Sequence, residues 1–268
     1  MFSRALSIAA LLLAAAPLAI PLGAQQVLPN HEWCDGREGD SRADQACEVR
    51  EYAVDLRDLI RVDAEPNGGI RVEGWDRNEI RMLAKVAAWS RSGDPEEMVG
   101  DIRVETGNVI RADGPRAGRR EGWSVSFRLM VPTSSNLDLE TLNGGVAIAG
   151  VYGDMDFETT NGGITLEDVG GDVRGRTQNG GLNVELSGQQ WEGEGLDVQT
   201  TNGGIDLTLP SDYRATLVTG TVNGGFRTDF PITVRGRLRS NNITTELNGG
   251  GPRIEVRTTN GGVHIRER

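Results

Sequence analysis

The sequence predicts an all-β protein: a β-solenoid or β-roll-like repeat stack preceded by an irregular β-rich N-terminal part. Three observations predict it. First, the tripeptide Asn-Gly-Gly starts at Asn67, Asn143, Asn161, Asn179, Asn202, Asn223, Asn248 and Asn260, and a recurring turn with strand-like flanks marks a repeat architecture. Second, apolar residues occupy alternate positions between the turns, as at Leu137 and Leu139, Val146 and Ile148, Met155 and Phe157, and Ile164 and Leu166, with Asp, Glu, Thr, Asn or Arg between them. That alternation gives each strand one dry and one wet face. Third, the interval from Asn143 to Asn161 and from Asn161 to Asn179 is eighteen residues, which holds one strand-turn-strand-turn unit; later intervals are twenty-three, twenty-one, twenty-five and twelve.

Residues 1–24 read as a secretory signal peptide. Arg4 supplies the positive start, Ala5 to Leu22 form an apolar run, and Leu22-Gly23-Ala24 is a small-residue cleavage site. Pro17 and Pro21 interrupt the run, and a spanning helix needs about twenty apolar residues. No integral membrane span is therefore expected after cleavage. Losing Arg4 and no acid takes the net charge from −11 to −12. Such an acidic surface repels nucleic acid and anionic head groups.

Residues 25–48 read as an irregular polar arm. It carries Cys34 and Cys47, the only cysteines. An even pair this close in an exported chain reads as a disulfide, and closing its loop contributes about 3 kcal/mol on chain-entropy grounds. His31 is nearby, but one His and two Cys make an incomplete metal site.

Residues 49–132 read as strand-like without a regular repeat. Leu59 to Asp63 alternates, Pro66-Asn67-Gly68-Gly69 turns, and Ile70 to Trp75 returns. Ile80 to Trp89 suits a helix or a bulged strand, and its strand-like neighbours favour the strand. Asp94-Pro95-Glu96-Glu97 predicts a short helix, with Asp94 as cap, Pro95 at the first helical position and acids at the positive end of the dipole. Trp123 to Val131 alternates as a strand with one buried face, and Trp89 and Trp123 read as core.

Residues 133–268 read as the repeats. The expected structural turns are Asn143-Gly144-Gly145, Asn161-Gly162-Gly163, Asn179-Gly180-Gly181, Asn202-Gly203-Gly204, Asn223-Gly224-Gly225 and Asn260-Gly261-Gly262. Asn-Gly between alternating strands is also the signal of a type I′ hairpin, so an antiparallel meander satisfies the same pattern. Positional identity favours the solenoid. Stacked coils superimpose equivalent residues, so asparagines could bond along a ladder and aliphatics pile into a thin core. The glycines are expected to supply left-handed backbone angles and room at tight corners. Longer intervals imply excursions at Gln189 to Gly195 and at Pro210 to Tyr213. The charged end Val263 to Arg268 fits a terminal coil with a blunted edge.

The run Leu129-Met130-Val131-Pro132, then Leu137-Asp138-Leu139-Glu140-Thr141-Leu142-Asn143-Gly144-Gly145-Val146, then repeated Thr-x-Asn-Gly-Gly-Ile units resembles a bacterial putative adhesin family of unknown function, whose members are exported or membrane-attached β-strand-repeat proteins. The resemblance spans Leu59 to Arg268 and is best after Val131. It implies a β-solenoid-like fold and no defined catalytic residues.

No catalytic, cofactor-binding or metal-binding residues are expected. His31 and His264 sit in no motif. The carboxylate pairs Asp154 and Asp156, Glu167 and Asp168, and Glu192 and Glu194 read as a solvated strand face. The repeats lack the Gly and Asp positions of a calcium β-roll, though Gly170-Gly171-Asp172 occurs once. Trp191, in a polar excursion, is a candidate ligand contact, against the plainer reading that it covers the edge of the core. These features point to an exported, non-enzymatic, adhesin-like binding or structural module, periplasmic, cell-surface or secreted. Its expected partner is a surface ligand, a glycan or an envelope protein. The alternatives are a carbohydrate-active enzyme on a β-helical scaffold and an envelope assembly or stress factor that docks a protein partner.

Overall fold

In the computed structural model the described residues are 25–36, 43–231 and 242–268; the expected signal peptide lies outside them. The chain runs β1 (Gln25–Leu28), a 3-10 turn (Glu32–Cys34), β2 (Asp44–Val54), β3 (Leu59–Asp63), β4 (Ile70–Trp75), β5 (Ile80–Ser90), α1 (Pro95–Asp101), β6 (Arg103–Thr106), β7 (Ile110–Asp113) and β8 (Glu121–Pro132). The repeats follow as β9 (Asn136–Thr141), β10 (Val146–Ala149), β11 (Tyr152–Asn161), β12 (Ile164–Glu167), β13 (Gly170–Asn179), β14 (Leu182–Glu185), β15 (Gly195–Asn202) and β16 (Ile205–Leu209). The last strands are β17 (Ala215–Asn223), β18 (Phe226–Thr228), β19 (Ile243–Leu247), β20 (Arg253–Asn260) and β21 (Val263–Glu267).

Two sheets face each other. One has the order β1-β2-β5-β8-β4-β10-β12-β14-β16-β21-β18 and the other β19-β17-β20-β15-β13-β11-β9-β3-β7-β6. Successive coils pair in parallel and in register, with Val146 opposite Ile164, Ile164 opposite Leu182 and Leu182 opposite Ile205. This is the solenoid-like arrangement; a meander would have paired consecutive strands antiparallel. Each register column stacks like on like, so the core is a slim aliphatic spine that includes Ile70, Val146, Ile164, Leu182, Ile205 and Val263, all buried. Gly175 interrupts one column because the ring of Phe157 fills its place. A Cβ on Gly175 would lie 2.0 Å from that ring.

The N-terminal region differs in kind. β2, β5 and β8 are long and antiparallel, and β4 joins β8 in parallel, so the meander passes into the stack within one sheet. The segment expected as an irregular arm is partly regular: Gln25–Leu28 pairs with β2, and Cys47 already lies in β2. Ile80–Ser90 is a strand. The short helix starts where its sequence says, with the Asp94 side chain accepting from the amides of Glu96 at 2.8 Å and Glu97 at 3.4 Å. Its other end is held by a residue far away in sequence. Buried Arg50 donates to the carbonyls of Val99 at 2.7 Å and Ile102 at 2.6 Å, which gives the carbonyls at the C-terminal end of the helix a charged donor. Among the described residues no helix is long and apolar enough to cross a membrane.

Two expectations need correcting. The charged end Val263 to Arg268 is not a terminal coil: β21 lies between β16 and β18, and β20 lies between β15 and β17. The last coil in the chain is inserted into the stack, and the edges at that end are β18 and β19. Trp89 and Trp123 are half-buried rather than core. Trp123 packs against the core rim and donates to the Pro115 carbonyl at 2.8 Å. Trp89 lies against Gly122, where a Cβ would meet its ring at 2.4 Å.

Candidate ligand-binding cleft

One corner of the stack carries the Asn-Gly-Gly tripeptides, superimposed. Each asparagine side chain donates its amide to the Oδ1 of the one beneath it: Asn143 to Asn67 at 3.1 Å, Asn161 to Asn143, Asn179 to Asn161 and Asn202 to Asn179 at 2.9 Å, Asn260 to Asn202 and Asn223 to Asn260 at 2.8 Å. A second ladder runs beside it. The threonine two residues before each of these repeat asparagines donates its hydroxyl to a glycine carbonyl of the neighbouring coil. Thr141 reaches Gly68, Thr159 reaches Gly144 and Thr177 reaches Gly162, each at 2.7 Å. Thr200 and Thr221 make the same bond at 2.7 Å and Thr258 at 2.8 Å. These threonines are buried, so the bond satisfies a polar group that would otherwise be costly.

The first glycine of each pair is needed for space. A Cβ on Gly162 would lie 1.9 Å from the Gly144 carbonyl oxygen, and one on Gly180 would lie 2.0 Å from that of Gly162. Left-handed angles, the other expected cause, occur instead at Asn248-Gly249-Gly250, with φ of 48°, 92° and 83°. That tripeptide is outside the ladder. It turns the chain from β19 towards β20, and Asn248 donates to the carbonyls of Ser211 and Tyr213 at 2.9 Å.

Trp191 is corrected as a ligand contact. It is 2% exposed and its indole donates to the Gly171 carbonyl at 2.9 Å, so it closes the opposite corner of the core. Asp154, Asp156, Glu167, Glu192 and Glu194 are exposed. Asp168 instead accepts from the Tyr152 hydroxyl at 2.9 Å and from Ser187. Asp172 pairs with Arg174 at 2.7 Å. His31 accepts from the Trp33 amide at 3.1 Å, and His264 accepts from Arg266 at 3.0 Å. Among the described residues no group of three His, Cys, Asp or Glu is placed to hold a metal.

The concave site is elsewhere, where the N-terminal meander meets the first coils. Cys34 and Cys47 are bonded, with Cα atoms 5.8 Å apart. The bridge roots the 3-10 turn on β2 and sets Trp33 over the outer face of the sheet, where the Arg128 guanidinium lies 4.8 Å from its ring centroid. Below is a cleft of about 410 Å³ lined by Trp33, Arg71, Arg128, Ser126 and a strip formed by Gly69, Gly145 and Gly163. Arg71 and Arg128 are Cα partners across β4 and β8, between Ile70, Val72, Phe127 and Leu129, which face inward. Arg71 has a loose ion pair with Glu73 at 3.6 Å. The Ser126 hydroxyl oxygen accepts from the Gly69 amide at 3.1 Å, leaving its own proton to donate. An adjoining hollow of about 320 Å³ shares Gly69 and Ser126 and adds Trp89, Asn67 and Asn143.

The sequence did not single out this cleft. The only local signal was a tryptophan next to a bridged cysteine. The Arg71–Arg128 pairing joins residues whose strands are neighbours only in the folded sheet.

Comparison with known proteins gives one family. The model described as Toastrack DUF4097 matches residues 63–266. No curated protein matches the chain. Among solved structures, the chain is similar to a putative cell adhesion protein from Clostridium sporogenes ATCC 15579, at 10% identity over 84% of this chain and 100% of that one, with a TM-score of 0.41. It is similar to a putative adhesin from Bacteroides fragilis NCTC 9343, at 13% identity over 83% and 97%, with a TM-score of 0.42. A putative lipid binding protein from Parabacteroides distasonis ATCC 8503 aligns at 9% identity over 82% and 97%, with a TM-score of 0.34. At these scores the likeness says nothing of what this chain binds.

Proposed function

The chain belongs to the Toastrack DUF4097 family, and from that premise we propose that it is an exported, non-enzymatic, adhesin-like binding module of the cell envelope. The observation that carries this reading is Trp33, held by the Cys34–Cys47 bridge above a cleft on the outer face of the sheet. A bridged turn presents an aromatic ring at little cost in ordering, which suits recognition. The scaffold supports the reading too, because two hydrogen-bonded ladders and a continuous spine make a rigid surface. Export is supported by the composition of residues 1–24 and by a disulfide, which persists in oxidising compartments.

A glycan array probed with residues 25–268 tests this, followed by analysis of each bound glycan for cleavage. Binding with the glycan recovered intact is the expected result. Release of shortened products would overturn the non-enzymatic reading, and absence of binding to any glycan would overturn a glycan as its surface ligand.

A further inference from the structure

We infer that the cleft beneath Trp33 takes a carboxylate-bearing sugar, within an oligosaccharide of acidic units. This rests on the binding-module reading and narrows it to a ligand class.

The charge pattern is the first reason. The protein carries a net charge of −11, yet this cleft places Arg71 and Arg128 side by side as Cα partners on one face. Neighbouring strands are about 4.8 Å apart, so two like charges stand close at some cost. Among the described residues the Arg128 side chain makes no ion pair and no hydrogen bond, and its Nε is buried without a partner. Its one specific contact is the face of Trp33. An arginine with spare donors beside a second arginine is a receptor for an anion. The planar fork of a guanidinium matches a carboxylate with two parallel bonds.

The second reason is the rest of the lining. The Trp33 ring, one face of which lies against the Arg128 guanidinium, borders the cleft, and the strip of Gly69, Gly145 and Gly163 carries no side chains to keep a ligand from the backbone. A flat ring with an apolar face and polar edges fits between them. Hydroxyl partners are at hand in Ser126 and Thr165. A second tryptophan, Trp89, with the amides of Asn67 and Asn143, borders the adjoining hollow through the shared Gly69 and Ser126. Two aromatic residues bordering adjoining hollows call for a chain of rings rather than a single one. The cationic pair is local, two side chains on one face of a protein of net charge −11, so it matches spaced carboxylates better than the dense phosphate run of a nucleic acid.

The test is isothermal titration of residues 25–268 with oligouronates of two to six units, neutral oligosaccharides of equal length, and sulfated oligosaccharides as the other anionic source. Oligouronates are expected to bind, with neutral chains weaker by about tenfold. Arg128→Gln and the exposed Arg71→Gln are each expected to weaken uronate binding by about tenfold. Affinity should fall with added salt. Thermal unfolding of Arg71→Gln checks that the fold is kept, so that a loss is read as a loss of contact. Equal affinity for neutral and acidic chains, or unchanged affinity in both arginine variants, would overturn the proposal while leaving the module reading standing. Tighter binding of sulfated than of carboxylated chains would overturn the carboxylate assignment. Absence of binding to every chain would overturn the proposal and the glycan as partner, leaving a protein as the ligand of the module.

Discussion

Asn260 donates its side-chain amide to Asn202 at 2.8 Å across 58 residues of sequence, and accepts at 2.8 Å from Asn223. The last Asn-Gly-Gly of the chain therefore stands between two earlier ones. The coil it begins has a neighbour on each side, with Ile265 opposite Leu207 and also opposite Thr228.

An inserted coil should behave as core. Ile265 is 0% exposed, so Ile265→Ala is expected to cost about 3 kcal/mol in urea unfolding. Phe226→Ala, on the half-buried edge strand β18, should cost less. A larger loss for Phe226→Ala would contradict the order of the coils.

The paired glycines should not be equivalent. An alanine at 162 brings a methyl group to 1.9 Å from a backbone oxygen, whereas at 163 the nearest atom is 3.2 Å away. Gly162→Ala should destabilise by about 3 kcal/mol and Gly163→Ala by markedly less. Thr165→Val, on the exposed face, should be nearly neutral. Indistinguishable melting temperatures for the three would remove steric crowding as the cause of the repeat.

The threonine ladder can be separated from packing by isosteric exchange. Thr177→Val keeps the shape and loses the bond to the Gly162 carbonyl, with an expected cost of about 1–2 kcal/mol. Thr177→Ser keeps the hydroxyl and should lose less. The order of the two variants in denaturant midpoint is the measurement, and Val above Ser would refute the bond's contribution.

Alkaline stability should depend on Tyr152. Burial, then its hydrogen bond to Asp168 and the charges of Asp168 and Glu192, push its hydroxyl from 10.0 up to about 12. The folded state thus keeps a proton that the unfolded chain gives up. The resulting stability is complete below about pH 10 and is lost as pH rises towards about 12. Tyr152→Phe removes that slope, while Tyr52 and Tyr213, which burial shifts the same way, still titrate. Melting temperatures from pH 9 to 12 should fall more steeply in the parent protein, by about a few degrees. Parallel curves would disprove the contribution.

Much of the architecture was legible residue by residue. Alternation placed Leu137, Phe157, Leu182 and Ile205 in the core, because strand periodicity is local. Asp94-Pro95 located the helix start, because capping is local as well. Identical residues at identical places in each unit implied the asparagine ladder, because a stack brings like to like; the threonine ladder beside it was not read from the sequence. The disulfide followed from there being only two cysteines.

What was not legible depended on which strands become neighbours. Thr221 and Thr258, Asn223 and Asn260 present the same chemistry, so either coil could stack on Asn202 as far as local pattern goes. Their order is decided by the whole path of the chain through β17, β18 and β19. The cleft has the same origin. Arg128 meets Arg71 only because β8 pairs with β4, and Trp33 reaches Arg128 only because Cys47 lies on β2. Strand propensity, turns and dry faces are properties of short segments and can be read from them, whereas a binding surface is made by residues from separate segments and exists only once the sheets have closed.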